Sequence, residues 1–389
     1  MNTLKRTLKW GLLTVIGLIA ILYITDTDYL LKAVRTIYAK GYTTAFLEDY
    51  KEFDNAEIQN NTAQPWPIHK DYNSITETER LQKYNDAYGT IAYVIIKNDS
   101  IWFENYYDGF GEDSKTNSFS MAKSYVSGLM GKAIEEGYIK SLDQPVSDFF
   151  PEFSEGLAAK MTVGDLSSMA SGTNWDEKYY SPLSITTRAY FDDDLEKVIL
   201  GLKVVDEPGQ AYKYSSGDTQ LLAMVIEKAT GKKLYDYLTE HFWKPLGSEN
   251  PALWQVDSED HDLVKAYCCI ASNAKDFSRF GKLYKDHGKW NGKQLLDSAF
   301  VAKSTTPRFA ESPQYGYGFW MQKRDGKSFF MMRGHLGQYV IVEPEDNIII
   351  VRLGHQKSPD EASQIFSDDI SIYIEEAYKM LNNALQTQP

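Results

Sequence analysis

Strand-like runs occur at both ends of the main body of this chain, and the long stretch between them is mostly helical in pattern. The strand-like runs, rich in β-branched and aromatic residues, are 91–96, 101–107, 318–322, 328–332, 338–342 and 347–353. An amphipathic helix with apolar residues from Ile365 to Leu381 closes the chain. This distribution predicts an α/β (α+β) fold, in which one antiparallel sheet is assembled from both ends of the body around an inserted helical region.

Ser120 and Lys123, three residues apart, are the first candidates for chemistry. If residues 120–138 form a helix, positions i and i+3 share a face, so the hydroxyl and the amine lie side by side at its first turn. A serine hydroxyl needs a neighbouring base to become a nucleophile. A lysine can be that base only when its surroundings lower its pKa from about 10.4, and the positive end of a helix disfavours a protonated amine. The pair is therefore predicted to be a nucleophile and its base.

The same spacing recurs at Ser272 and Lys275. There the serine directly precedes a periodic apolar run, which is typical of a residue that caps the N-terminus of a helix. We therefore predict a structural role for Ser272. The spacing alone does not identify a catalytic site.

The charge of the chain restricts its partners. A formal net charge of −13 over 389 residues opposes a nucleic-acid partner, which requires a basic surface to neutralise phosphates. The 43% hydrophobic content is enough for a well-packed globular body. A small or neutral substrate fits this composition better.

The N-terminus has the pattern of a membrane anchor or a secretory signal. Basic residues at positions 5, 6 and 9 precede an uncharged, Leu- and Ile-rich stretch at 10–25. Its sixteen residues are slightly fewer than the about 17 to 25 that usually span a bilayer, so both alternatives stay open. Because no convincing small-x-small cleavage site follows, we predict an uncleaved anchor over 1–28, with the body on the exported, periplasmic face. Secretion after signal cleavage is the alternative.

The remaining chain divides into two parts. Residues 29–79 are helical at first and then rich in Pro and Asn, and they are predicted to be a linker lying on the body. The catalytic domain is predicted over 80–385, with the helical insertion at about 140–300.

The two cysteines of the chain are adjacent, at Cys268 and Cys269. Consecutive Cα atoms lie about 3.8 Å apart, below the usual disulfide range of about 4.4 to 6.8 Å, so we predict two buried thiols. Their spacing does not match a metal site, and no cofactor or metal is predicted for this chain.

Two further segments carry a resemblance to a known family. Tyr214-Ser215-Ser216 lies in a polar loop entering a helix, and His335-Leu336-Gly337 lies where the chain turns into a strand. With Ser120 and Lys123 as Ser-x-x-Lys, a Tyr motif second and a His-x-Gly motif third, residues from about 80 to 385 resemble the serine β-lactamase and penicillin-binding protein superfamily. The similarity is greatest to its class C-like serine hydrolases, which include family VIII carboxylesterases, D-aminopeptidase-like enzymes and 6-aminohexanoate-dimer hydrolases.

The resemblance implies roles for these residues. It assigns Tyr214 to the loop facing the nucleophile, where a phenol can pass a proton between Ser120, the leaving group and the attacking water. It assigns the two oxyanion donors to the backbone N–H groups of Ser120 and Gln338. Gly337 is expected to let the strand approach closely, because a side chain there would fill the pocket.

Two departures from the family pattern concern the substrate. Position 216 is Ser where β-lactamases and penicillin-binding proteins usually have Asn, and position 335 is His where they usually have Lys. A neutral histidine binds a substrate carboxylate less firmly than a lysine does. Ser216 and His335 therefore argue against β-lactams as the natural substrate.

The segment 171–180 resembles the loop that covers the pocket in the aminohexanoate-dimer hydrolases. Trp175 and Tyr180 are predicted either to line the substrate pocket or to pack on the core. Glu177 is predicted to be a solvated surface carboxylate rather than a ligand of a substrate amine.

These inferences together predict a membrane-anchored serine hydrolase that cleaves a small ester or amide through an acyl-enzyme on Ser120. It is not expected to be primarily a β-lactamase. The alternatives are a D-aminopeptidase or D,D-peptidase acting on cell-wall peptides, and a penicillin-binding sensor that acylates without turnover.

Overall fold

A six-stranded antiparallel sheet organises the computed structural model, which describes residues 2–359 and 364–386. The strands of the described residues are β1 (Asn55–Ile58), β2 (Thr90–Lys97), β3 (Ser100–Tyr106), β4 (Thr116–Asn117), β5 (Ala252–Gln255), β6 (Ile270–Ser272), β7 (Lys289–Trp290), β8 (Lys293–Gln294), β9 (Trp320–Arg324), β10 (Lys327–Gly334), β11 (Gln338–Glu343) and β12 (Ile348–Gly354). The large sheet has the order β3-β2-β12-β11-β10-β9. The predicted fold, with one sheet built from both ends of the body, is confirmed.

The six strand-like runs seen in the sequence match β2, β3 and β9–β12 to within two residues. Alternate residues of each strand point to opposite sides of the sheet. Both of its faces are buried. On β11, Val340 and Val342 face one hydrophobic cluster, while Tyr339 and Ile341 face another that contains α12 residues such as Tyr373. This explains why the strands read as nearly continuous apolar runs.

Helices cover the sheet and fill the stretch between its two halves. They are α1 (Asn2–Ile24), α2 (Tyr29–Thr36), α3 (Glu79–Ala87), α4 (Ala122–Glu135), α5 (Val163–Ser167), α6 (Ile185–Phe191), α7 (Leu195–Leu200), α8 (Ser216–Thr230), α9 (Leu234–Leu238), α10 (Ala274–Lys285), α11 (Ser298–Ser304) and α12 (Asp368–Gln386). The predicted insertion contains α5 to α11, and it also carries β5 to β8. Ile365, which we expected on the closing helix, lies before α12 and is exposed.

The N-terminal helix α1 is exposed along its length, and Thr3–Ile24 is long and apolar enough to cross a membrane. A signal sequence has the same properties. The segment after α1 is bound to the body: Asp26 pairs with Arg188 and Lys197, and β1 pairs with β5 in a small four-stranded sheet. The region predicted as a linker therefore supplies a strand to the fold.

The second Ser-x-x-Lys spacing leads into α10, but the predicted cap is wrong by one residue. The side chain of Asn273, not that of Ser272, accepts a hydrogen bond from the Asp276 N–H, because its carbonyl oxygen reaches the third residue of the helix. Lys275 forms ion pairs with Glu112 at 2.5 Å and Glu104 at 3.2 Å. This lysine is thus held as a charged ion-pair partner.

Candidate active site

Ser120 and Lys123 lie where a short 3₁₀ turn, Phe119–Met121, runs into α4. The Lys123 Nζ is 3.0 Å from the Ser120 Oγ and donates a second hydrogen bond of 2.7 Å to the backbone carbonyl of Tyr267. The preceding residue, Phe119, has a φ of 45°, a left-handed conformation that is rare for a bulky residue. Strain of this kind is found at functional sites, where surrounding structure maintains it.

The environment of Lys123 makes it a candidate base. Its side chain is only 3% exposed, and burial lowers its pKa from the ordinary value to about 8, against an opposing effect of the carboxylates of Glu177 and Asp218. Desolvation disfavours the ammonium form, and no carboxylate within residues 2–359 and 364–386 forms an ion pair with the amine. A lysine in this state has an appreciable neutral fraction near pH 7 to 8.

Tyr214 faces this pair from the loop that precedes α8. The Lys123 Nζ lies 5.1 Å from the centre of the Tyr214 ring, and the Ser120 side chain is near enough to the Tyr214 phenol to oppose the rise in its pKa. Burial raises the pKa of the Tyr214 phenol, so the group is neutral and carries a transferable proton. The three residues that the sequence identified from separate segments are brought together here.

A buried aspartate stabilises the loop that carries Tyr214. Asp218, in the first turn of α8, accepts hydrogen bonds of 2.6 Å from both Ser171 and Ser215 and one of 3.2 Å from Thr173. Burial raises its pKa to about 6 despite these bonds. The network fastens the segment 171–180, the covering loop, to the start of α8, directly beside Tyr214.

Glu177 does not have the solvated position that we predicted. Its carboxylate accepts hydrogen bonds from the Ser216 backbone N–H, from the Ser216 hydroxyl at 3.2 Å and from the Tyr179 hydroxyl at 2.6 Å. The N-terminal end of α8 attracts this negative charge. Glu177 thus lies over the site, close enough to influence the pKa values of Lys123 and Tyr214.

The third motif is placed differently from the expectation. Strand β10 ends at Gly334, where an added Cβ would lie 2.3 Å from the backbone oxygen of Ser118, just before the nucleophile. At Gly337, which has a φ of 85°, a Cβ would instead meet the guanidinium of Arg352 at 2.2 Å. The glycine that allows a close approach to the nucleophile segment is therefore Gly334, and Gly337 makes the turn into β11.

Of the other two residues expected at the third motif, His335 lies at the site and Gln338 does not line it. His335 lines the cavities at Ser120, and its ring packs between Phe119, at 5.5 Å, and Tyr179, at 5.3 Å. Gln338 is fully buried and donates a hydrogen bond of 2.7 Å to the Gly354 carbonyl, so its side chain braces β11 against β12. Neither Gln338 nor Gly337 lines these cavities.

Two cavities meet at Ser120. One is a narrow, mainly apolar space of about 660 Å³, its open mouth included, and Ser216 is among its lining residues. The other is a wide cleft of about 2360 Å³, its opening to solvent included, which has mixed polar and apolar walls and which Tyr180 and Tyr214 help to line. Trp175 is 4% exposed, lines neither cavity and packs against Gly217, so for this residue the core alternative applies.

The cysteine prediction is wrong, because a disulfide joins Cys268 to Cys269. The left-handed backbone of Cys269, with a φ of 79°, accompanies this bond between neighbours. Cys268 lines the apolar cavity, and the preceding Tyr267 supplies the carbonyl that holds Lys123. The disulfide is therefore part of the wall of the site.

A family model of beta-lactamases matches residues 78–368. The chain belongs to the beta-lactamase family. Its relatives include the 6-aminohexanoate-dimer hydrolase of Paenarthrobacter ureafaciens, which is 23% identical over 295 residues, covering 70% of this chain and 74% of that enzyme. The superfamily resemblance drawn from the motifs is confirmed.

Solved structures of other proteins share the fold. A Bacillus anthracis protein assigned as a 6-aminohexanoate-dimer hydrolase superposes with a TM-score of 0.70 at 21% identity, over 87% of this chain and 93% of that one. A family VIII carboxylesterase superposes with a TM-score of 0.59 at 17% identity, over 79% of this chain and 99% of that one. These relatives are hydrolases with differing substrates.

The sequence analysis missed residues whose place in the site depends on contacts that form only in the folded protein. Tyr267 acts through its backbone carbonyl, for which no side-chain motif exists. Tyr179 was one of several aromatic residues in the covering loop, and only its contacts with Glu177 and His335 distinguish it.

Proposed function

We propose that this chain is a serine hydrolase that cleaves an ester or amide bond through an acyl-enzyme on Ser120. The observation that carries the proposal is the hydrogen bond of 3.0 Å between Ser120 and a buried Lys123 whose pKa is lowered to about 8. Lys123 accepts the hydroxyl proton while the oxygen attacks the carbonyl carbon. The β-lactamase family, with its ester and amide hydrolases, supports this reaction class.

The tetrahedral intermediate carries a negative oxygen that needs hydrogen-bond donors. We propose the backbone N–H groups of Ser120 and His335 for this role, in place of Ser120 and Gln338. The close approach of Gly334 to the nucleophile segment and the position of His335 in the cavity wall support the change. Tyr214 then passes the proton to the leaving group and activates the water that hydrolyses the acyl-enzyme, and no cofactor takes part.

We propose further that α1 anchors the enzyme in a membrane, with the body on the exported face. Its exposed apolar surface and the basic residues before the apolar stretch support this orientation. Release after signal cleavage is the alternative, and mass spectrometry of the mature chain from the native membrane fraction distinguishes the two.

Turnover of p-nitrophenyl esters tests the nucleophile. Ser120→Ala should abolish turnover and the mass increase of an acylated protein, while Ser272→Ala, the matched serine of the second Ser-x-x-Lys, should retain both. Retained turnover in Ser120→Ala would disprove the assignment.

A substrate panel tests the reaction class. Esters, linear amides, D-amino acid amides and penicillins should each be compared for turnover and for the mass of the trapped adduct. Preference for D-amino acid amides would indicate a D-aminopeptidase, and a penicillin burst without turnover would indicate a sensor.

A further inference from the structure

The apolar cavity beside Ser120 is walled in part by residues that precede the family domain. Ile37, Tyr38 and the stretch Thr43–Ala45 line it, and all of them lie outside the matched residues 78–368. The opposite wall comes mainly from α6, whose Tyr190 and Phe191 line the same cavity. The N-terminal segment therefore shapes the space next to the nucleophile.

Three hydroxyl groups in this cavity wall already have partners inside the protein. The Thr187 hydroxyl donates to the Ser181 carbonyl at 2.8 Å, and the Thr186 hydroxyl donates to the Asp176 carbonyl. The Tyr190 hydroxyl donates to the buried Asp49 carboxylate at 2.6 Å. What these residues leave for a ligand is mostly hydrocarbon and aromatic surface, which binds apolar groups by removing them from water.

The second cavity adds charged groups to the site. The walls of the wide cleft are partly apolar, but they also include the cationic side chains of Arg333 and Lys357, which do not line the narrow cavity. Because Ser120 lines both spaces, a carbonyl held at its hydroxyl lies next to the apolar cavity and also next to the cleft that contains these charges. This arrangement suits an amphiphilic substrate.

The cavity also lies close to the end of the membrane-length helix. Asp26, two residues after α1, pairs with Arg188 of α6, the helix that forms the cavity wall. The eight residues of α2 span about 12 Å, and Ile37 of the cavity wall follows directly. Lys32 of α2 pairs with Asp193 at 2.5 Å, which fastens this helix to the body.

We propose that the narrow cavity is the subsite for an alkyl chain, and that the substrate is an amphiphilic acyl ester or amide taken from the membrane in which α1 lies. The alkyl chain enters between the N-terminal segment and α6, and the polar leaving group occupies the wide cleft. The Ser120 Oγ forms a bond to the acyl carbon, the bond to the leaving group breaks, and the serine proton, accepted by Lys123, reaches that group through Tyr214. This proposal rests on the proposed hydrolase function.

A chain-length series tests the subsite. With p-nitrophenyl esters from acetate to dodecanoate, kcat/KM should rise about fourfold for each added methylene until the cavity is full, as expected from the hydrophobic gain per buried methylene. Ala45→Trp, which narrows the cavity from the N-terminal segment, should lower the ratio of kcat/KM for the dodecanoate ester to kcat/KM for the acetate ester at least tenfold.

Matched variants keep this test independent of folding. Ala63→Trp, at an exposed position outside the cavity, should leave the whole series unchanged. Thr187→Trp on α6 should lower the same ratio as Ala45→Trp, because Thr187 lines the narrow cavity and not the wide cleft. A flat chain-length profile that Ala45→Trp and Thr187→Trp do not alter would overturn the subsite while leaving the hydrolase intact. Absence of turnover for every ester would instead overturn the proposed function.

The source of the substrate's alkyl chain is tested with the full-length protein in phosphatidylcholine vesicles. A dodecanoyl ester placed in the same vesicles as the enzyme should be hydrolysed at least tenfold faster than the same ester in separate vesicles, while the soluble acetate ester shows no difference. Equal rates in the two arrangements would overturn the membrane as the source and assign the subsite to acyl esters from solution.

Discussion

The most direct test of this site is the protonation of Lys123. A lysine with a pKa near 8 is neutral in about one molecule in eleven at pH 7, whereas one with the ordinary value of 10.5 is neutral in about one in three thousand. Burial thus raises the amount of active base about 300-fold. Because the neutral amine is the active form, kcat/KM should rise with pH and level off above a midpoint near 8.

Replacement of Lys123 measures how much its amine contributes to kcat/KM. Arginine keeps the positive charge and stays protonated, so Lys123→Arg should lower kcat/KM for p-nitrophenyl acetate by about 10² to 10⁴, the usual contribution of a general base. Lys123→Met, whose side chain is similar in length and uncharged, should lower kcat/KM by a similar factor. Lys275→Arg is the matched control, because its ion pairs with Glu112 and Glu104 survive the change and it lies outside the site.

The assay is initial-rate kinetics from pH 6 to 10, with circular dichroism to confirm that each variant is folded. A midpoint near 6.5 would point to a histidine such as His335 rather than to Lys123. An unchanged pH profile in a folded Lys123→Met would refute the reasoning completely.

Three other predictions follow from the same geometry. Tyr214→Phe should lower kcat/KM about 10²-fold without changing the fold, measured by ester kinetics and thermal unfolding; wild-type rates would show that the phenol takes no part. Gly334→Ala should lower kcat/KM more than tenfold because its Cβ meets the backbone before the nucleophile, whereas Gly111→Ala, which has open space around it, should not; equal activities would contradict the proposed close approach. Reduction of the bond between Cys268 and Cys269, followed by thiol titration, should lower kcat/KM several-fold because the segment whose carbonyl holds Lys123 changes; an unchanged rate after complete reduction would exclude this coupling.

Local patterns made the architecture predictable. The strands of the large sheet are long, apolar and separated by turn residues, so six runs could be assigned to within two residues. The Ser-x-x-Lys and Tyr motifs indicated the family because their order and spacing are specific. Helix α10 was also expected, although its capping residue was displaced by one position.

Other features depended on contacts that no local pattern encodes. Glu177 was predicted to be a surface carboxylate. It lies over the site only because the covering loop packs onto the N-terminus of α8. The glycine that approaches the segment before Ser120 was expected at 337 and lies at 334, because the position at which β10 ends is set by sheet register. The disulfide between Cys268 and Cys269 depends on a left-handed backbone that spacing rules do not anticipate.

The sequence by itself determined the fold class, the family and the identity of the pair Ser120 and Lys123, because these depend on periodicity and on short motifs. Only the tertiary structure decided the state of that pair. The pKa of Lys123 is lowered by burial, and burial is produced by segments far apart in the chain. The same holds for the apolar cavity, since its walls come from the N-terminal segment and α6, which meet only when the chain is folded.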